Sequence, residues 1–154
     1  MNKVGDIVVP GAVAEALSVS SKKTLLKKLA AAAARETGLA ARTIARRLAE
    51  RERLGSTGFG NGAAIPHARI EGLERLYGYF ARLEKPVDFE AIDRIPVDLV
   101  FLLLSPPDAG AEHLKALARI SRLLRDEAVL AKLRGARSRD AIYAVLAASE
   151  TENA

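Results

Sequence analysis

The chain has no cysteine and no tryptophan, one methionine, two histidines, and only seven phenylalanine or tyrosine residues among 154. Without thiols there are no disulfides and no thiolate metal ligands, a composition that suits the cytoplasm. With so few aromatic rings, no platform for stacking nucleic-acid bases is evident, and no nucleic-acid partner is expected. No apolar run approaches the roughly 20 residues needed to cross a bilayer as a helix, so no membrane insertion is expected. The N-terminus, with Lys3 and Asp6 beside a short apolar patch, lacks the long apolar region of a secretory signal. A metal site would have to use His67, His113 and carboxylates such as Glu112. Two histidines without a His-x-x-x-His spacing make a poor ligand set, and no metal or cofactor is expected.

What is present is a core. The hydrophobic fraction is 49%, and a chain of this length can bury about 70% of its unfolded surface. Repeats, low-complexity tracts and linkers are absent, so residues 1–154 read as one domain, with a core over about 6–148 and a flexible tail over about 149–154. The net charge is +5 and the pI is near 9.7. The cations are spread over helix-like stretches: Lys22, Lys23, Lys27 and Lys28, then Arg42, Arg46 and Arg47, then Lys115, Arg119 and Arg122. That distribution is one of solvated helix faces, and it would also suit an acidic protein partner.

Helical and extended patterns interleave. Ser20 or Ser21 can cap a helix through Leu25, Leu26, Leu29 and the alanine run to Glu36, with Gly38 as its stop. A second helix covers Ala41 to Arg53, and Arg51 falls on the same face as Ile44 and Leu48. Strands are expected at Ala63–Ile65, Leu76–Leu83 and Val97–Leu104, the last nearly continuous apolar, as a strand covered on both faces would be. A helix from about Ala111 to Arg125 has Leu117, Ile120 and Leu124 as its inner stripe and Lys115, Arg119 and Arg122 outside. Two more helices follow near Ala128–Arg134 and Ser138–Ala148. The fold class is therefore α/β, a sheet covered by helices.

The most informative segment is Glu50-Arg51-Glu52-Arg53-Leu54-Gly55-Ser56-Thr57-Gly58-Phe59-Gly60-Asn61-Gly62-Ala63-Ala64-Ile65-Pro66-His67-Ala68-Arg69. Four glycines between Gly55 and Gly62 permit backbone conformations closed to other residues. The spacing Gly55-x4-Gly60 begins like a Walker A loop, but Asn61-Gly62 stands where the phosphate-binding lysine and hydroxyl are required. Gly58-x-Gly60-x-x-Ala63 matches a relaxed dinucleotide fingerprint, yet it follows a helix and precedes Pro66, the reverse of the strand-loop-helix context. Pro66 fixes one backbone angle and biases Ile65 toward extended geometry, which would aim His67 from an exposed, rigid strand end.

The segment resembles the phosphorylation site of the phosphotransferase-system (PTS) enzyme IIA proteins of the fructose/mannitol type, above all their nitrogen-regulatory branch. The resemblance extends from about Asp6 to Ala148. It implies a single-domain mixed β-sheet flanked by helices, the mannitol-type enzyme IIA fold. It also implies a phosphohistidine carrier that accepts a phosphoryl group from an HPr-like phosphocarrier protein. Its partners would be regulatory or ion-transport target proteins rather than sugars. No fused transport domain is expected, which favours a stand-alone carrier or regulator. The alternative is a binding-only regulator that docks partners without transfer.

Position alone leaves His67 open as a structural or solvent-facing histidine; the resemblance makes it the phosphoacceptor. Neutral imidazole is a competent nucleophile at cellular pH, because its ordinary pKa is about 6.5. His113 lies on the inward side of its helix. It reads either as a core-edge histidine satisfied by a carbonyl or, in the Glu-His-Leu context the family shares, as a hydrogen-bond partner of the phosphoryl group or of His67. An inward Arg51 wants an anion, and its planar donors match phosphate oxygens; otherwise it is a cation at a helix C-terminus, beside Glu52 or free carbonyls. Arg53 and Arg69 read as solvated. Gly60, Asn61 and Gly62 are expected to support the loop, with Asn61 and the loop amides also able to reach the phosphoryl group; Ser56 and Thr57 are expected to stabilise turns. Ala68 stands where many relatives carry glycine, and Phe59 where a smaller aliphatic is common, which puts loop geometry beside His67 in question.

Overall fold

A computed structural model describes residues 4–151. The order is α1 (Val4–Ile7), β1 (Val13–Leu17), α2 (Lys22–Thr37), α3 (Ala41–Arg53), β2 (Gly58–Gly60), β3 (Ala63–Ala64), β4 (His67–Arg69), β5 (Tyr77–Val87), β6 (Val97–Ser105), α4 (Gly110–Arg125), α5 (Glu127–Gly135) and α6 (Arg139–Thr151). The helix boundaries follow local chemistry. Ser21 Oγ accepts the Thr24 N–H at 3.1 Å and opens α2, and Gly38 closes it in the left-handed conformation, φ 78°. Asp126 caps α5 by accepting the N–H groups of Ala128 and Val129.

The strands form one mixed sheet in the order β1-β5-β6-β3-β2, with β4 pairing β6 beyond β3. β5 runs antiparallel to β6, while β3 and β4 both run parallel to β6. Alternation along β6 builds two cores. Leu99, Phe101 and Leu103 pack with α1, α4, α5 and α6. Val100, Leu102 and Leu104 pack with α2 and α3 through Leu25, Leu29, Ile44 and Leu48. Helices thus cover both faces, as the apolar run of β6 requires. Gly78 in β5 leaves room for the end of α1 and the residue after it: a Cβ there would meet Ile7 Cγ2 at 2.7 Å and Val8 Cγ2 at 2.9 Å.

Several expectations are revised. The short elements α1, β1, β2 and β4 are too brief to carry a periodic signal. The strand expected at Ala63–Ile65 ends at Ala64, and a separate strand opens at His67. Pro66 lies in the break, its carbonyl accepting the Leu103 N–H at 3.0 Å. β5 extends to Val87 rather than stopping at Leu83. The inner stripe of α4 is His113, Ala116, Ile120, Leu123 and Leu124, with Leu117 at its margin. α6 runs to Thr151, and the rest of the expected flexible tail lies outside the described residues.

Candidate active site

Three elements remote in sequence bring their side chains to the carboxyl end of β6. α3 contributes Arg51, on the face whose other members, Ile44 and Leu48, are buried. β4 contributes His67, held in register opposite Leu103. α4 contributes His113 from its first turn, 4% exposed. The two imidazole centroids lie 5.6 Å apart, with the planes tilted by 51°. Arg47, Arg51, Leu54, His67, Arg69 and His113 line one open cleft.

The hydrogen bonds of His67 determine where its proton sits. Nδ1 lies 2.8 Å from the Ile65 carbonyl oxygen, which can only accept, so Nδ1 carries the hydrogen. Arg51 Nε donates to Nε2 at 3.3 Å, and a guanidinium can only donate, so Nε2 presents its lone pair. His67 is therefore a neutral Nδ1–H imidazole whose nucleophilic nitrogen faces the cleft. It is half-buried rather than exposed. Burial, chiefly, lowers its pKa below 6.5, with Arg51 and Arg69 adding to the effect; the Ile65 hydrogen bond and Glu52 oppose it.

His113 is pushed down to about 4, first by burial and then by the charges of Arg69 and His67, so it is neutral at cellular pH. Its Nδ1 lies 2.6 Å from the Ser105 hydroxyl, where a backbone carbonyl was the bland expectation. Arg51 also fills the helix-end role weighed for it, its Nη1 donating to the Gly55 carbonyl at 2.9 Å. Arg69, read from the sequence as solvated, lines the cleft and acts electrostatically on both histidines. Along β4 it shares a face with His67, a relation that a three-residue strand is too short to announce in the sequence.

The glycine segment lies elsewhere. Gly62 sits where its carbonyl accepts from Asp98 and Leu99 at the start of β6. Four residues along that strand separate this point from the level of His67, about 13 Å at the rise of a β-strand. The Asn61 N–H donates to Asp93 Oδ2 at 2.9 Å, and the Asn61 carbonyl accepts from Arg134 Nη2 at 2.7 Å. Gly60, Asn61 and Gly62 do not line the cleft, which corrects the expectation that Asn61 and these amides reach a phosphoryl group. All three have positive φ, and they turn β2 into β3. The base of the loop is fastened to α3: Glu52 accepts from the Thr57 N–H at 3.1 Å and from the Thr57 hydroxyl, and pairs with Lys22 at 2.9 Å. Ser56 Oγ donates to the Phe89 carbonyl at 2.9 Å and accepts the Gly58 N–H at 3.1 Å. Ala68 lies in regular strand opposite Leu104 with no positive φ, so glycine is not required there. Among the described residues no group of three or more His, Asp or Glu side chains is placed to hold a metal ion.

Comparison with known proteins agrees with this architecture. The family model described as "Phosphoenolpyruvate-dependent sugar phosphotransferase system, EIIA 2" matches residues 10–149. A "Nitrogen regulatory protein" of Bradyrhizobium diazoefficiens is 55% identical over 144 residues, spanning 94% of each chain. One of the same description from Pseudomonas aeruginosa is 42% identical over 147 residues, spanning 95% of this chain and 96% of its own. Among solved structures, the nitrogen regulatory protein IIA-Ntr of Neisseria meningitidis superposes with a TM-score of 0.89 at 35% identity, covering 93% of this chain and 98% of that one. The mannitol IIA of Escherichia coli shares the fold at a TM-score of 0.74 and 19% identity, covering 90% and 98% of the two chains. With the fold, the length and the sequence in agreement, this chain belongs to the EIIA type 2 family of the phosphoenolpyruvate-dependent sugar phosphotransferase system.

Proposed function

We propose that the chain is a phosphohistidine carrier of the nitrogen-related phosphotransferase branch. An HPr-like phosphocarrier protein donates a phosphoryl group to His67 Nε2, and the phosphorylation state governs the binding of regulatory or ion-transport target proteins. The observation that carries this reading is the cleft-facing lone pair of His67 Nε2, aligned by Ile65 and met by Arg51. The step forms an N–P bond at Nε2 as the bond between phosphorus and the donor breaks. If the donor group is itself a phosphohistidine, it departs as a neutral imidazole. Arg51 and Arg69 place positive charge where the three phosphoryl oxygens would lie, and such charge stabilises the transfer electrostatically. The nitrogen-regulatory names of the relatives support the branch. No helix among the described residues is long and apolar enough to cross a membrane, in keeping with a cytoplasmic carrier. A binding-only regulator would not need Arg51, His67 and His113 in one cleft.

The test is incubation with a phosphorylated HPr-like donor, followed by mapping of the acid-labile, base-stable phosphate. Label on His67, lost in His67→Ala with the fold retained, is the expected result. Normal labelling of His67→Ala would move the nucleophile to His113.

A further inference from the structure

We propose that Ser105 is a positioning residue: its hydroxyl donates to His113 Nδ1 and so holds His113 in the Nε2–H tautomer, opposite to that of His67. The two neighbouring imidazoles then present unlike edges to the cleft, a lone pair from His67 and an N–H from His113. The role assigned to that N–H, donation to a phosphoryl oxygen on His67, rests on the phosphocarrier reading; the tautomer itself does not.

The geometry decides the direction of the Ser105–His113 bond. The two atoms are 2.6 Å apart, and Ser105 is wholly buried at the carboxyl end of β6. A hydroxyl has one proton to give. Were His113 Nδ1 the donor, that proton would need another acceptor, and Ser105 Oγ has no other hydrogen-bond partner among the described residues. An unspent donor in a buried place is costly, so the serine donates and Nδ1 accepts. A neutral imidazole carries one ring proton, which therefore rests on Nε2.

The assignment complements the neighbouring ring. His67 has its proton on Nδ1, tied to the Ile65 carbonyl, and its Nε2 free to attack. Had His113 carried its proton on Nδ1 as well, a second lone pair would face the cleft and repel phosphoryl oxygens. A single hydroxyl thus converts the second histidine from an acceptor into a donor. The backbone of Ser105 has a separate task, its carbonyl accepting the Ile70 N–H at 2.9 Å. Removal of Oγ leaves that bond in place.

Long-range proton–nitrogen NMR of the full-length 15N-labelled protein near pH 7 reads the tautomers directly. Expected are a pyridine-like Nδ1 and a pyrrole-like Nε2 for His113, and the reverse for His67. Ser105→Ala should move His113 toward the other tautomer and slow single-turnover transfer from a phosphorylated HPr-like donor by roughly three- to tenfold, the range for one neutral hydrogen bond. Ser105→Thr, which keeps the hydroxyl, should recover both readouts. A pyrrole-like Nδ1 on His113 in the unsubstituted protein overturns the proposal, as does an unchanged tautomer and rate in Ser105→Ala. If the His113 signature is as stated but His67 accepts no phosphoryl group, the tautomer assignment is supported and the phosphocarrier reading is the one that fails.

Discussion

Arg51 Nε and His67 Nε2 are joined by a 3.3 Å hydrogen bond between residues 16 apart in sequence. The arginine therefore addresses the very lone pair assigned to attack. On the phosphocarrier reading it would release that nitrogen as the phosphoryl group arrives, and its N–H groups would turn to the incoming oxygens. The bond is long for its type, which favours such an exchange. Arg51→Ala should slow transfer by roughly tenfold to over a hundredfold, the worth of one charged hydrogen bond. Because Arg51 lowers the His67 pKa, the same variant should show that pKa raised in an NMR titration. Unchanged kinetics with only a lower melting temperature would leave Arg51 as a helix-end residue tied to Gly55.

Arg69 is expected to behave as a member of the site rather than of the solvated surface. Its charge lowers the pKa of both histidines, so Arg69→Ala should raise both. Arg53→Ala serves as the control, since Arg53 does not line the cleft. Equal histidine titrations in the wild type and Arg69→Ala would remove Arg69 from the electrostatics of the cleft.

The pH dependence of stability has a definite sign. His113 titrates near 4 in the folded chain and near its ordinary 6.5 when unfolded. Between these values the unfolded chain takes up a proton that the folded chain refuses. The contribution of this group is complete above about pH 6.5, declines as pH falls toward 4, and is absent below. The lowered His67 adds a loss of the same sign below 6.5. Urea midpoints measured at pH 7.5 and 5 should therefore fall, and His113→Gln should flatten the difference. An equally steep fall in that variant would assign the effect to other groups.

Gly62→Ala tests the reassignment of the glycine segment. A Cβ at this position, where φ is +80°, would come within 2.5 Å of Arg134 Nη2 and 3.0 Å of Asp98 Oδ1. It should disturb the ion pair that joins α5 to β6 at 2.8 Å. A loss of more than ~1 kcal/mol in stability is expected, with the folded fraction still accepting phosphate at the wild-type rate. Slowed transfer at undiminished stability would return the loop to the chemistry.

The long elements were legible because their signals are local. α3 was readable from Ala41 to Arg53 by its apolar spacing, and α2 by Ser21 and Gly38 at its ends. β6 was readable as a run with no polar face. In the site, Arg51 was conspicuous as a cation on an apolar stripe, whereas His67 and His113 were picked out by the family resemblance, their positions alone leaving both open. Ser105 and Arg69 were not legible, because their importance arises from pairings across space: Ser105 with His113 eight residues on, and Arg69 through the register of β4 against β6. The glycine segment misled in the opposite way. Its amides were expected within reach of the phosphoryl group, whereas its positive φ angles serve a turn whose outer contacts are Asp93, Asp98 and Arg134.

The interruption at Pro66 has a further consequence, for solubility. β4 pairs with β6, and it is three residues long. β2 covers the outer side of Ala63 and Ala64, and the Ile65 N–H donates to the Thr57 carbonyl, so the row of unpaired amides on which sheets of separate molecules join starts only at Pro66. Proline supplies no N–H to that row, which is thereby confined to β4. On the phosphocarrier reading, the histidine that meets other proteins thus stands on an edge too short to capture them, so that encounters there can end in dissociation rather than in fibre.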